Sequence, residues 1–154
     1  MAVFLLSRRS RLGPVDTWER LTDWSRHGER IPFTDVGPAR GTGRAVGDVV
    51  LARTALGPVG FDDPMEIVVL TPPTRGREGL CRLEKRGRIV RGWAELRVCA
   101  EAEGGAEALW VEEIRVRGVP AALDPLVARV ARLVFGRALD GLLGPEPAAG
   151  HARR

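Results

Sequence analysis

The amino-acid sequence predicts an α+β domain in which a curved antiparallel sheet of about seven strands wraps around a long C-terminal helix. From residue 33 to residue 117 the chain alternates short apolar runs with Gly and Pro turns, as consecutive antiparallel strands do. Residues 124–144 then carry apolar side chains at spacings of three and four, which indicates one helix about 30 Å long at roughly 1.5 Å per residue. Such a helix needs a large apolar partner surface, and the strand-rich region is the candidate.

Length and composition indicate one ordinary globular domain. The chain has 154 residues, of which 44% are hydrophobic and 29% are charged, so it can bury a substantial core. We predict that residues 1–144 form the domain and that residues 145–154, which are Pro, Ala, Gly, Glu, His and Arg without a pattern, form a disordered tail.

Charge and hydropathy argue against several classes of partner. The net charge is +4, but the arginines are interleaved with Asp and Glu, whereas a nucleic-acid binder concentrates basic residues on one face. No apolar run approaches the roughly 20 residues that span a membrane. Residues 3–6 are too short for a signal-peptide core, and the arginines follow them. We therefore expect a cytoplasmic monomer or homodimer that binds no nucleic acid and is not integrated into a membrane.

The N-terminal part is expected to contain one strand, two short helices and a weak second strand. An apolar spacing of three, at Val15, Trp18 and Leu21, predicts the first helix. Ile31-Pro32 ends the next segment, because the residue before a proline disfavours helical backbone. The predicted ranges are 2–9 for strand one, 15–23 for the first helix, 24–30 for a second helix or a turn, and 34–39 for the weak strand.

The best-patterned part of the sheet is a hairpin that turns at Gly104-Gly105. In residues 89–100, one parity carries small and apolar side chains and is predicted to face inward. In residues 108–117, the parity that contains Trp110 and Glu112 is expected inward, although a one-residue register change would reverse it. The other predicted strands are 46–56, 65–70 and 80–85.

The C-terminal helix is expected to begin with Asp124 as its cap and Pro125 at its first position, and to stop at Gly144. The apolar stripe that should contact the sheet consists of Leu126, Val127, Val130, Leu133, Val134, Ala138 and Leu142.

The sequence contains no strong catalytic or metal-binding motif. Residues 41–47 superficially resemble a dinucleotide-binding loop, but the third glycine arrives one residue late, so we predict a hairpin turn. Neither His27 nor His151 lies in a cluster with metal-ligand spacing, and no serine lies in a nucleophile elbow. We expect no metal and no cofactor.

Glu112 is the most suggestive carboxylate because it shares its parity with apolar residues. A buried carboxylate is costly unless a cation pairs with it, and Arg53 or Arg97 could supply that cation. Alternatively, the strand is turned over and Glu112 is solvated. Asp62 and Asp63 are adjacent, so they should point to opposite faces of a strand and not form an acid–base pair.

Several segments of the chain match a known pattern in order and in residue type. They are Leu21-Thr22-Asp23-Trp24, His27, Ile31-Pro32, Arg40-Gly41-Thr42-Gly43, Ala52-Arg53-Thr54, Gly57-Pro58, Pro72-Pro73, the strand from Gly87 to Ala94 with Gly92, Leu109-Trp110-Val111-Glu112-Glu113, and Phe135, Leu139 and Leu142 of the last helix. Over residues 2–143 the sequence resembles the START-like or SRPBCC superfamily, in its branch of polyketide cyclase/dehydrase and lipid transport proteins.

The resemblance implies a helix-grip fold with a deep, largely apolar cavity between the sheet and the long helix. Some members bind lipids or other hydrophobic molecules, and others cyclise or dehydrate polyketides. The superfamily has no common catalytic motif, so the resemblance assigns no catalytic residue to this chain.

The leading hypothesis is therefore that the protein binds a small hydrophobic molecule, lipid-like or polyketide-like, inside such a cavity. An alternative is an aromatase/cyclase or dehydratase that uses Glu112 as its acid–base group, and a third hypothesis is an interaction domain with a filled core. The residues expected to line the cavity and bind the ligand are Trp24, Arg53, Met65, Leu96, Trp110, Glu112, Val130 and Val134.

Overall fold

The computed structural model describes residues 1–144, so the predicted C-terminal tail lies outside the described residues. Seven strands, three α-helices and one 3-10 turn make up this range. In chain order they are β1 (Ala2–Ser10), α1 (Pro14–Leu21), α2 (Trp24–Arg30), β2 (Thr34–Arg40), β3 (Val49–Leu56), β4 (Val59–Thr71), β5 (Gly79–Arg86), β6 (Val90–Ala100), β7 (Ala106–Val116), a 3-10 turn (Ala121–Leu123) and α3 (Asp124–Leu143).

The seven strands form one antiparallel sheet in the order β1-β7-β6-β5-β4-β3-β2. Strands β2 to β7 are joined as successive neighbours, and β1 closes the series by pairing with β7 from Ala2 opposite Ile114 to Ser10 opposite Ala106. Register shifts in β2 and in β4 mark bulges, which bend a strand and increase its twist. The predicted α+β helix-grip architecture, with two short helices near the N-terminus, is confirmed.

The long helix α3 contacts β1, α1 and α2, and its buried side agrees with the predicted stripe only in part. Leu126, Val130 and Leu133 are 57%, 51% and 58% exposed. The buried residues of the helix are Ala131, Gly136, Ala138, Leu139, Leu142 and Leu143. Ala138 and Leu142 of the predicted stripe are buried, as expected, whereas Leu133 is exposed, because the helix is apolar over much of its circumference and apolar spacing alone leaves the exact buried side undetermined.

The start of α3 also differs from the prediction. The helix begins at Asp124, its N-cap is Leu123, and no side chain caps it. The Asp124 carboxylate instead accepts a hydrogen bond from the terminal ammonium of Met1, which ties the first strand to the last helix. Gly144 ends the helix as predicted, with a φ of 79° that suits glycine.

Strand β4 is longer than its sequence pattern predicts. It begins at Val59, directly after the two-residue turn at Gly57-Pro58, and includes both Asp62 and Asp63. Gly60 and Pro64 are unfavourable strand residues, which is why the pattern does not reveal the first half of β4. This extension determines which aspartate faces the interior. Within residues 1–144, no helix is long and apolar enough to cross a bilayer.

Candidate functional site

A cavity of about 450 Å³ lies between the inner face of the sheet and α3, with α2 at one side. Its wall is mostly apolar and includes Phe61, Leu83 and Ile114 from the sheet and Phe135 from the helix. Leu126 and Val130 line the cavity although more than half of each side chain is exposed, so the N-terminal half of α3 borders an opening to solvent.

Strand alternation decides which side chains reach this cavity. On β3, Ala52 and Thr54 line it. On β6 and β7 the predicted inward parities are confirmed, because Leu96, Trp110 and Glu112 are 1%, 5% and 2% exposed and all three line the cavity. Neighbouring positions on each strand point to the outer face, as the pleat requires.

Six of the eight residues expected in the cavity wall lie there, and two do not. Those in the wall are Trp24, Met65, Leu96, Trp110, Glu112 and Val130. Whether they contact a ligand stays a prediction.

Arg53 lies on the outer face of the sheet, so its expected place in the wall is corrected. Its Nε donates to Asp62 Oδ1 over 2.9 Å, and the two side chains are 62% and 50% exposed. The cause is parity: Ala52 and Thr54 point inward, and the residue between them must point outward. Arg97, the other suggested partner of Glu112, is also on the outer face and pairs with Glu95.

Val134 is half-buried but is not part of the cavity wall. The lining residues of α3 are Leu126, Val127, Val130, Ala131 and Phe135. Apolar spacing selects one side of a helix, but it does not say how far along the helix a cavity extends, and this is the reason for the correction.

The charged partner of Glu112 is Lys85, the only lysine in the chain. Its ammonium lies 2.9 Å from Glu112 Oε1 and 2.5 Å from Asp63 Oδ2, and the Lys85, Glu112 and Asp63 side chains are 4%, 3% and 10% exposed. Trp110 Nε1 donates to Glu112 Oε2 over 2.9 Å. We call Asp63, Lys85 and Glu112 the charged triad; all three line the cavity.

Burial and charge act against each other in the triad. Burial alone would lower the pKa of Lys85, but the charges of Glu112 and Asp63 and their hydrogen bonds raise it, so the amine is protonated at neutral pH. Burial, helped by the charge of Glu112, raises the pKa of Asp63 although Lys85 opposes the shift. Asp63 Oδ1 is buried and has no hydrogen-bond partner among the described residues.

A group of aromatic rings lines the same cavity as the triad. His27 Nε2 lies 2.7 Å from the carbonyl oxygen of Leu21, so this nitrogen carries a hydrogen and donates it. Burial is the main cause that lowers the pKa of His27, which makes the ring neutral at physiological pH. The His27 ring lies 5.4 Å from that of Trp24 and 5.5 Å from that of Trp110, which in turn lies 5.1 Å from Phe135.

Sequence reasoning missed Lys85, Asp63 and His27 as wall residues. One signal for Lys85 was present: it shares its strand parity with Cys81 and Leu83, and all three are buried. Asp63 could not be found from a pattern that hides the first half of β4. Among residues 1–144, no three His, Cys, Asp or Glu side chains come together as a group that could hold a metal ion.

Comparison with known proteins finds one short sequence match and many structural ones. No family model matches the chain. A D-amino acid dehydrogenase 2 from Ralstonia nicotianae is 48% identical over 48 residues, which are 31% of this chain and 11% of the dehydrogenase. The chain thus spans about a tenth of that relative's length, and the match assigns neither a fold nor an activity.

Solved structures match over nearly the whole chain at low identity. A Thermus thermophilus protein has a TM-score of 0.67 at 12% identity, covering 91% of this chain and 93% of its own. The Zhui aromatase/cyclase of Streptomyces sp. R1128 scores 0.62 at 15% identity and covers 92% and 91%. A Thalictrum norcoclaurine synthase, solved with a transition state analogue, scores 0.63 at 14% identity and covers 92% of each chain. The protein therefore shares the helix-grip fold of these solved structures.

Proposed function

We propose that the protein binds a small hydrophobic molecule, lipid-like or polyketide-like, in the cavity between the sheet and α3. The observation that carries the proposal is the cavity itself. Its volume of about 450 Å³ lies within the roughly 300–1,000 Å³ typical of small-molecule sites. Its wall combines a mostly apolar surface with a few polar groups, the charged triad among them, which is the arrangement of a site that buries a ligand and orients one end of it.

The free energy of such binding comes mainly from burial of apolar surface. A ligand that buries about 300 Å² of apolar area gains roughly 7 kcal/mol at about 25 cal/mol per Å². Loss of translational and rotational freedom offsets part of this gain. Exposed Leu126 and Val130 at the border of the cavity leave a route by which an apolar molecule can enter.

The test is binding of N-phenyl-1-naphthylamine, a neutral dye whose fluorescence rises in apolar surroundings, together with native mass spectrometry of protein purified without detergent. Ala52→Phe places a ring in the cavity wall and should weaken dye binding at least tenfold. Ala55→Phe makes the same change on the outer face of the same strand and is the matched control. Equal binding by both variants, or no binding by the wild type, contradicts the proposal.

A second candidate is an aromatase/cyclase or dehydratase that acts on a polyketide or small aromatic substrate in the same cavity. Glu112 favours it, because this carboxylate is 2% exposed and lines the cavity beside the Lys85 ammonium. A carboxylate can accept a proton from the carbon next to a carbonyl group, while an ammonium donates a hydrogen bond to the carbonyl oxygen. Proton abstraction of this kind begins both cyclisation and dehydration.

The two candidates are separated by α-proton exchange of 4-phenyl-2-butanone in D₂O, followed by NMR. An enzyme of this kind should accelerate exchange, and Glu112→Gln should slow it by about 10²–10⁴-fold, as general acid–base groups contribute. If the α-protons exchange no faster than in buffer without protein while the dye still binds, the enzyme hypothesis is refuted and only the binding function remains.

A further inference from the structure

We propose that the cavity selects ligands carrying a protonated primary or secondary amine on an apolar body, and that the charged triad binds the ammonium group. This inference rests on the proposed function and narrows its ligand class.

The hydrogen-bond inventory of the triad leaves an acceptor unused. Lys85 donates to Asp63 Oδ2 and Glu112 Oε1, and its Nζ also lies 3.6 Å from Met65 Sδ. Glu112 Oε2 is occupied by the Trp110 indole. Asp63 Oδ1 is the buried side-chain oxygen without a partner among the described residues. Because the unused atom is a hydrogen-bond acceptor, the ligand group that completes the site must be a hydrogen-bond donor. Carbonyl and ether oxygens cannot donate.

The charge of the triad favours a cationic donor over a neutral one. Two carboxylates face one ammonium, so the triad carries one excess negative charge when both acids are ionised. In a largely apolar wall this charge is poorly screened. An alcohol would satisfy Asp63 Oδ1 and leave the charge uncompensated, a quaternary ammonium would compensate the charge and donate nothing, and a carboxylate ligand would be repelled. A protonated amine meets both requirements.

Aromatic rings in the same cavity wall are compatible with an ammonium ion as well. The cavity wall contains four aromatic residues, Trp24, His27, Trp110 and Phe135. Taken in this order, each ring centroid lies 5.1–5.5 Å from the next. Aromatic faces attract cations through their quadrupole, by about 0.5–2 kcal/mol per contact. His27 is neutral in this environment and adds no competing positive charge.

Protons compete with the amine for the same position. The titratable groups that face it are Asp63 from β4, Lys85 from β5, Glu112 from β7 and His27 from α2. Because the pKa of Asp63 is raised, acid protonates this carboxyl more readily than an exposed one and removes the excess charge. Protonation of His27 adds a positive charge. Both changes weaken amine binding as pH falls, whereas binding of a neutral ligand does not depend on them.

The experiment compares four probes that share a naphthyl group, each displacing N-phenyl-1-naphthylamine from the wild-type protein at about pH 7.5 and pH 5. The probes are 2-(2-naphthyl)ethylamine, its N,N,N-trimethyl derivative, 2-(2-naphthyl)ethanol and 2-naphthylacetate. We expect the primary amine to bind at least tenfold more tightly than the other three at pH 7.5, about 1.4 kcal/mol at 25 °C. This preference should shrink at pH 5.

Asp63→Asn should abolish the preference for the amine over the alcohol, measured as a ratio within the variant so that its stability does not matter. Asp62→Asn removes the same charge from the outer face of the same strand and should keep the ratio. Equal affinity of the wild type for amine and alcohol overturns the inference. Dye binding without amine preference would leave the proposed function standing, and absence of dye binding would refute both.

Discussion

Replacing Lys85 with methionine is the most direct test of how the charged triad contributes to stability. Methionine keeps much of the aliphatic stem and removes the charge, which leaves the carboxylates of Asp63 and Glu112 facing each other without a cation. The Lys85 and Glu112 side chains are 4% and 3% exposed, so water replaces little of the lost interaction. Removal of one partner from a buried ion pair costs about 3–5 kcal/mol, and we expect a loss of that size in the free energy of unfolding.

The loss should depend on pH, with a sign that follows from Asp63. Burial and the charge of Glu112 raise the pKa of Asp63, and the variant lacks the Lys85 charge that opposes this shift, so the folded pKa of Asp63 lies above its unfolded pKa. A group of this kind stabilises the fold below its unfolded pKa, and the stabilisation is lost as pH rises through its folded pKa. The deficit of the variant relative to the wild type should therefore be smaller near pH 4.5 than near pH 7.

Urea-induced unfolding followed by tryptophan fluorescence measures both effects, since the chain has four tryptophans. Arg86→Met is the matched control. Arg86 is the next residue of β5, and its Nε pairs with Glu66 over 3.0 Å with side chains that are 55% and 32% exposed, so its loss should cost about 0–1 kcal/mol. If Lys85→Met costs no more than this control, or costs the same at both pH values, the buried ion-pair reasoning is wrong.

Two further predictions concern backbone geometry and thiol chemistry. Gly92 has a φ of 129°, and an added Cβ would overlap the carbonyl oxygen of Glu113, so Gly92→Ala should destabilise the fold by more than about 2 kcal/mol in urea melts. At Gly37 an added Cβ meets nothing within 4 Å, and Gly37→Ala should change stability by less than about 1 kcal/mol. Burial raises the pKa of the Cys81 thiol to about 12. A thiol reagent at about pH 8 should therefore modify Cys99 in the folded protein and Cys81 only after denaturation, and simultaneous modification of both would contradict this.

The fold could be predicted from the sequence because its strongest signals are local and periodic. Alternation in β6 and β7 identified the inward faces correctly, and with them the positions of Leu96, Trp110 and Glu112. Alternation is reliable there because one face of each strand is apolar and the other carries charges, so a shift of one residue would bury several of them.

The polar part of the site could not be predicted to the same extent, because its partners come from separate strands. The ammonium of Lys85 on β5 meets carboxylates from β4 and β7, and local patterns do not contain these distances. Because Arg53 lies in an alternating strand, it was a plausible cation to pair with Glu112. Its side chain was expected on the inner face of the sheet, and it lies on the outer face. The inward side of α3 was predicted only in part for a related reason: Leu133 is exposed, because apolar residues on most sides of a helix leave tertiary packing to choose the buried one.

A solitary lysine within the cavity wall makes this protein unusually convenient for spectroscopy. Expression with ¹⁵N-labelled lysine would produce one side-chain amine resonance, which belongs to Lys85 without any assignment experiment. Its chemical shift reports the protonation state of that nitrogen, and its exchange rate with solvent reports how well water is excluded. Arrival of any molecule in the interior could thus be followed from a single NMR signal.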